Sequence, residues 1–216
     1  MNKTALIIGA TGLVGSNLLQ QLLLDNDFSS VKIFVRRATG ITHPKLKEFI
    51  IDFDKLELSK SDITGDVLFS CMGTTLKQAG SKEAQYKVDF TYQFEFAKLA
   101  AENGVTDYLL ISAASSSSKS KIFYSRIKGE LEDAIKQLTF SRIRILQPSV
   151  LAGERSEKRI GEKWSAGIIN MLGMVVPFLK KYRSIPGATV AHALIAIYKK
   201  NESEKIKTYK LDELFL

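Results

Sequence analysis

Tyr124 and Lys128 stand four residues apart in a stretch, Phe123 to Leu138, whose pattern predicts a helix. That spacing places both on one helical face. An ammonium beside a phenol favours the phenolate, and an activated tyrosine can pass a proton to or from a substrate oxygen. Hydride transfer to a carbonyl needs such a donor, and alcohol oxidation needs the corresponding base. Ser112 ends a predicted strand, where it would hydrogen-bond the reacting oxygen; Ser115 is the alternative for that role. Taken alone, Tyr-x-x-x-Lys is an ordinary aromatic–cation pair and Ser115 an ordinary loop serine. Their chemistry depends on what else the chain carries.

It carries a glycine loop. Gly9-Ala-Thr-Gly12-Leu-Val-Gly15 follows the apolar run Thr4–Ile8 and precedes Leu13, Val14, Leu18, Leu19, Leu22 and Leu23 at helical spacing. Between a strand and a helix, such glycines make a phosphate site. Gly9 allows the tight turn, Gly12 a close approach to a pyrophosphate, and Gly15 close helix–strand packing. The helix start, at Leu13 and Val14, then offers free N–H groups to an anion, and Thr11 a hydroxyl. The bland alternative is a tight turn and nothing more. NAD sites usually place an acid about 20 residues past the glycines, at the end of the second strand. Here Arg36-Arg37 stands there with no acid, and guanidinium groups suit a 2′-phosphate. The expected cofactor is therefore NADP(H), unless the two arginines are simply solvated. Asp52 and Phe53 follow the third strand and belong to the adenine end. Asp52 either meets the adenine amino group or is a loop or helix-cap acid.

The elements that must position these groups are predicted from pattern. Strands are expected at Thr4–Ile8, Val31–Val35, Phe49–Ile51, Asp66–Ser70, Tyr108–Ile111, Arg142–Leu146 and Ile206–Leu211. Helices are expected after the glycine loop, over Ser81–Asn103 with Tyr86, Phe90 and Phe94 among its apolar positions, over Phe123–Leu138, and over Ala188–Lys199. Strand and helix alternating at this rhythm give an α/β fold, a doubly wound parallel sheet with right-handed crossovers. The 216 residues read as a single Rossmann-type domain, 1–216. Residues 153–187, broken by glycine and proline, form a segment that covers the substrate, with Trp164, Ile168, Ile169, Met171 and Met174 as its apolar lining or as core.

Composition narrows the classes. The chain is 45% hydrophobic, with net charge +8, one cysteine and two histidines. A single cysteine excludes an internal disulfide and any cysteine-built zinc site, so no metal is expected. No secretory signal or stretch of about 20 apolar residues is visible, so a cytoplasmic protein without membrane insertion is expected. Basic residues alternate with acids and form no block, which argues against nucleic acid and for a small-molecule substrate.

Gly9 through Gly15, Ile111-Ser112 and Tyr124-Ser-Arg-Ile-Lys128 resemble the short-chain dehydrogenase/reductase superfamily in its extended and atypical branch. Ser70-Cys-Met-Gly-Thr-Thr75, Tyr86-Lys-Val-Asp89 and Tyr124 through Glu130 look like its Tat-interacting oxidoreductase group, over nearly the whole chain. The resemblance implies a Rossmann-type domain that binds NADP(H). It implies that Cys71, Met72, Gly73 and Thr74 line the cofactor, Cys71 as a wall and not a nucleophile. It also places Pro148 to Val150 near the nicotinamide. This chain has Gln147, Ala113 and Asp89 where many members have arginine, a second serine and asparagine. The expected function is an NADP-dependent oxidoreductase in which Tyr124 exchanges the proton, Lys128 tunes it and holds the ribose, and Ser112 orients the substrate. The alternatives are a dinucleotide-binding regulator of low activity and a sugar-nucleotide epimerase-like enzyme. A homodimer through the helices starting at Ser81 and Phe123 follows by analogy with relatives.

Overall fold

Strand β1 (Lys3–Ile8) shows why this sheet sits in the middle of the molecule. Its last four residues are fully buried, and they alternate between two cores. Ala5 and Ile7 face one, Leu6 and Ile8 the other. A strand apolar on both sides must have helices over both sides. The computed structural model describes residues 2–149, 151–152, 184–200 and 202–214.

Helix α1 (Leu13–Leu24) lays Leu18, Leu19, Leu22 and Leu23 on the first core, while Leu24 points to solvent. Truncating a leucine as buried as Leu18 to alanine costs about 2–5 kcal/mol. The chain continues through β2 (Phe28–Val35), β3 (Leu46–Ile50), a 3₁₀ segment (Phe53–Asp62) and β4 (Val67–Ser70). Helices α2 (Leu76–Ala79) and α3 (Lys82–Tyr86), a π-helical turn (Lys87–Thr91) and α4 (Tyr92–Glu102) lead to β5 (Asp107–Ile111). After α5 (Phe123–Ile135) and β6 (Arg142–Gln147), the short strands β7 (Leu151–Ala152) and β8 (Ile185–Pro186) pair with each other. Helix α6 (Gly187–Lys199) and β9 (Ile206–Lys210) follow.

The main sheet has seven strands in the order β3-β2-β1-β4-β5-β6-β9. Every pairing in it is parallel. The strand order reverses between β1 and β4, and ligands of doubly wound sheets bind at that switch point, beyond the carboxyl ends of the strands. Helices α1 and α6 cover one face, α4 and α5 the other.

Two expectations need correction. The single helix over Ser81–Asn103 is broken into α3, a π turn and α4. Of its expected apolar positions, Ala97 and Leu99 are buried in the second core, while Tyr86, Phe90 and Phe94 form a half-buried ladder of stacked rings, at 4.9 and 5.8 Å. The core face carries Phe96, Ala97, Leu99 and Ala100, because the π turn rephases the helix behind it. The helix from Phe123 stops at Ile135. The substrate-covering segment lies mostly outside the described residues, as do Trp164, Ile168, Ile169, Met171 and Met174. At its end Ile185 is fully buried and Pro186 exposed, and a Cβ on Gly187 would lie 2.8 Å from the Leu13 carbonyl oxygen.

Candidate active site

The glycine loop is shaped by contacts that exclude a side chain. Gly9 has φ +79°, and a Cβ there would lie 2.5 Å from the Cys71 carbonyl carbon. A Cβ on Gly15 would fall 2.1 Å from the Gly9 oxygen. The turn closes with the Gly12 N–H donating to the Gly9 carbonyl at 3.0 Å. Gly12 is the roomier position, with its nearest neighbour at 3.3 Å. It is also the N-cap of α1, and no side chain caps that helix end nor does an acid stand in its first turn. The first turn, at Leu13, Val14 and Gly15, therefore keeps unsatisfied N–H groups and a partial positive charge. Thr11 is exposed beside it. These residues fit a diphosphate: an open, uncapped helix start reached over a backbone without side chains.

At the far end, Arg36 and Arg37 are exposed just past β2. Neither forms an ion pair or hydrogen bond among the described residues. Asp52 is also exposed and accepts a hydrogen bond from the Asp54 N–H at 3.0 Å, so it caps the 3₁₀ segment. The reading of Asp52 as a cap acid thus has a geometric basis. Phe53 is buried against Tyr92 and Phe96, which leaves only its backbone for a ligand.

The residues after β4 wall the crevice. The Cys71 N–H donates to the Ile8 carbonyl at 2.9 Å, which binds this wall to the strand that feeds the glycine loop. Burial pushes the Cys71 thiol up to about 12, so it is no thiolate. Met72 is half-buried against the second core, and Gly73 is exposed. The Thr74 N–H donates to Asp89 Oδ2 at 3.2 Å. Pro148 is buried, and its carbonyl accepts from the Ala114 N–H at 2.9 Å. Val150 lies outside the described residues.

Helix α5 brings the reacting groups to the same edge. Tyr124 is 39% exposed, while Lys128, one turn on, is only 2% exposed. The Lys128 ammonium lies 3.0 Å from Asp89 Oδ1, and Asp89 is fully buried. Burial pulls Lys128 down, but the Asp89 carboxylate, the Tyr124 oxygen and Glu132 together outweigh it and hold the ammonium above the ordinary lysine value. Removing one partner from such a pair strands the other charge, at about 3–5 kcal/mol. Asp89 sits in the π turn, and its carbonyl accepts from the Gln93 amide at 3.0 Å. Gln93 in turn receives the Ser70 hydroxyl at 2.7 Å.

Ser112 is buried at the end of β5, and its hydroxyl donates to Glu132. The Gln147 amide bridges both Glu132 oxygens, at 2.9 and 3.1 Å. Ser112 Oγ also lies 3.0 Å from Ser116 Oγ. The proton of Ser112 thus points inward in this structure, and the Gln147 amide keeps Glu132 partnered if that proton turns outward. Ser115 is exposed with φ +66°, a left-handed conformation unusual for serine, and no side-chain partner is recorded for it among the described residues.

The structure thus gathers the glycine loop, the β4 wall, Ser112, Tyr124, Lys128 and Pro148 at the carboxyl edge of one sheet. Glu132 has no place in the sequence reading, Gln147 enters it as a departure, and Asp89 both as a departure and as the end of the Tyr86-Lys-Val-Asp89 segment. The Tyr-x-x-x-Lys-x-x-x-Glu spacing, three polar positions on one helical face, was the available signal for Glu132.

Fold and layout define a class, the Rossmann-type α/β proteins with a phosphate cradle at the first crossover. No protein-family model matches the chain. It is 32% identical over 198 residues to protein HTATIP2 of Rattus norvegicus, covering 90% of this chain and 80% of that one. It is 34% identical over 181 residues to protein fmp52, mitochondrial, of Aspergillus niger, covering 81% and 77%. Among solved structures, MoeE5 in complex with UDP-glucuronic acid and NAD superposes with a TM-score of 0.72 at 15% identity, covering 96% and 76%. The chain belongs to the family of HTATIP2 and fmp52.

The same names overturn the cytoplasmic expectation, since the fmp52 relatives are called mitochondrial. The expectation rested on low cysteine content and on the lack of a recognisable leader. Neither feature separates the cytosol from another reducing compartment.

Proposed function

We propose that this protein is an NADP(H)-dependent oxidoreductase acting on a small carbonyl or alcohol. The observation that carries the reading is the pairing, at one sheet edge, of an uncapped glycine cradle with an exposed Tyr124 above a buried, charged Lys128. The cofactor, when bound, supplies or accepts the hydride. Everything else falls to the chain. The glycine loop and the first N–H groups of α1 hold the diphosphate. Arg36 and Arg37 hold a 2′-phosphate. Asp52 and the Phe53 backbone border the adenine, and Cys71 to Thr74 with Pro148 wall the cofactor. Lys128 would hold the ribose, and carries the cation one helical turn from Tyr124.

Tyr124 gives its proton to the substrate oxygen when a carbonyl is reduced, and takes one when an alcohol is oxidised. Its exposure gives the phenol a route to solvent protons. Ser112 orients the same oxygen. To do so it turns its hydroxyl proton from Glu132 to that oxygen, which leaves the single proton of an alcohol to Tyr124 and lets a carbonyl take its proton from Tyr124.

Binding titrations of NADPH and NADH, followed by a carbonyl screen, test this. NADPH should bind more tightly. Replacing both arginines with alanine should weaken NADPH by about tenfold or more, the cost of losing one charge-assisted contact of about 1.5–3 kcal/mol, and leave NADH unchanged. NADH binding as tightly as NADPH in the unaltered protein would reject the 2′-phosphate assignment.

A further inference from the structure

We propose that Asp89 is a positioning residue for the candidate active site: one buried carboxylate that both keeps Lys128 charged and ties it to the wall after β4. The role in dinucleotide binding rests on the function proposed above; the charge assignment does not. Asp89 Oδ1 meets the Lys128 ammonium at 3.0 Å. Asp89 Oδ2 accepts the Thr74 N–H at 3.2 Å. A Cβ on Gly73 would lie 3.4 Å from Asp89 Oδ1 and 3.9 Å from Lys128 Nζ, so the wall backbone passes directly over the pair. The carboxylate therefore touches the general cation of the site with one oxygen and the cofactor wall with the other.

The need for it follows from burial. Lys128 is 2% exposed, and a lysine taken out of water sheds its proton unless an anion compensates. The titratable groups that face it are Asp89 from the π turn, and Tyr124 and Glu132 from its own helix. The loop side contributes the uncharged Gly73 backbone. Glu132 is occupied by Ser112 and Gln147, and Asp89 is the one carboxylate in contact with the ammonium among the described residues. The π turn serves this geometry. It holds Asp89 between two other buried polar residues of the same run, Gln85 and Gln93, and π turns often occur at functional sites. An asparagine in this position would keep the Thr74 contact and lose the charge.

Lysine-selective carbon-13 labelling gives the direct test, with the Lys128 signal assigned by its loss in Lys128→Met. In the unaltered protein the Lys128 Cε signal should titrate above 10.5, the ordinary lysine value. In Asp89→Asn its midpoint should fall by about 2 units or more, since desolvation is then unopposed. Asp89→Glu should restore most of the difference. NADPH affinity provides the second readout. Between pH 6 and pH 9 it should fall about fourfold further in Asp89→Asn than in the unaltered protein, as the ammonium of a lysine with a midpoint near about 8.5 is lost. A Lys128 midpoint below 10.5 in the unaltered protein overturns the proposal, whether or not the variants fold. So does an equal midpoint in Asp89→Asn. If Lys128 behaves as expected but NADPH does not bind the unaltered protein, the charge assignment stands and the oxidoreductase reading fails instead.

Discussion

The two halves of the candidate site are made of different material. The cradle between β1 and α1 is backbone: Gly9, Gly12 and Gly15 leave space, and N–H groups stand open beside it. The reaction edge on α5 is side chains: Tyr124 stands over Lys128, which leans on Asp89, while Glu132 takes the proton of Ser112. Backbone sites fail by steric exclusion, which is abrupt. Side-chain sites fail by loss of charge or hydrogen bonds, which is graded and sensitive to pH. The same difference separates what a substitution does to folding from what it does to chemistry.

The largest effect is expected where the cradle has no room. Gly15→Ala would press a methyl group to 2.1 Å from the Gly9 oxygen, a backbone atom that cannot swing away. Overpacking of this kind costs about 1–3 kcal/mol where side chains can yield, and more where they cannot. A strong drop in melting temperature and loss of dinucleotide binding should appear together. Gly12→Ala separates the two, since its nearest neighbour is at 3.3 Å. That variant should melt near the unaltered protein and still bind NADPH much more weakly. Calorimetry and a binding titration on both variants check the contrast. If Gly12→Ala binds normally, the loop is a structural turn and the comparison loses one side.

Next comes the reaction edge. Tyr124→Phe removes one oxygen from a half-exposed position, so stability and NADPH affinity should barely move. Reduction of a carbonyl substrate should drop about 10²–10⁴-fold, the usual share of a positioned acid or base. Steady-state rates beside a binding curve measure both. Full activity in Tyr124→Phe would turn the site into a binding site and favour a regulatory protein.

The contrast also decides what could be read beforehand. Glycine loops and buried parallel strands are local in sequence. Ala5 to Ile8 is a continuous apolar run, Val31 to Val35 is broken only by Lys32, and the turn chemistry at Gly9 sits between them. The sheet and its switch point follow from such runs and from the rules of crossover. The reaction edge depends on contacts across 39 residues for Asp89–Lys128 and 20 for Ser112–Glu132. No local pattern marks a buried aspartate. Asp89 lies between Tyr86 and Phe90 in what reads as one amphipathic helix, and the π turn that buries it has no signature in apolar spacing. Tyr124 and Lys128 were legible as a pair, but not that one is exposed and the other almost wholly buried.

Cys71 sharpens the boundary between the halves, with the smallest effect. It belongs to the wall, its N–H tied to Ile8, and its thiol is held at about 12 by burial. The thiolate is the nucleophile, so a raised thiol reacts slowly. Against an ordinary value of 9.0, the shift leaves about 10³-fold less thiolate at pH 8; the greater intrinsic nucleophilicity of a more basic thiolate returns part of that. Iodoacetamide should therefore label Cys71 in the native protein on the order of 10²-fold more slowly than in the denatured chain. The sign of the pH dependence follows from the same shift. Native labelling should keep rising about tenfold per pH unit through pH 10, while the denatured chain levels off above pH 9. Mass spectrometry of a labelling time course reads both slopes. A native rate that levels near pH 9 would show an ordinary thiol, and would move Cys71 from the wall to the side chains that react.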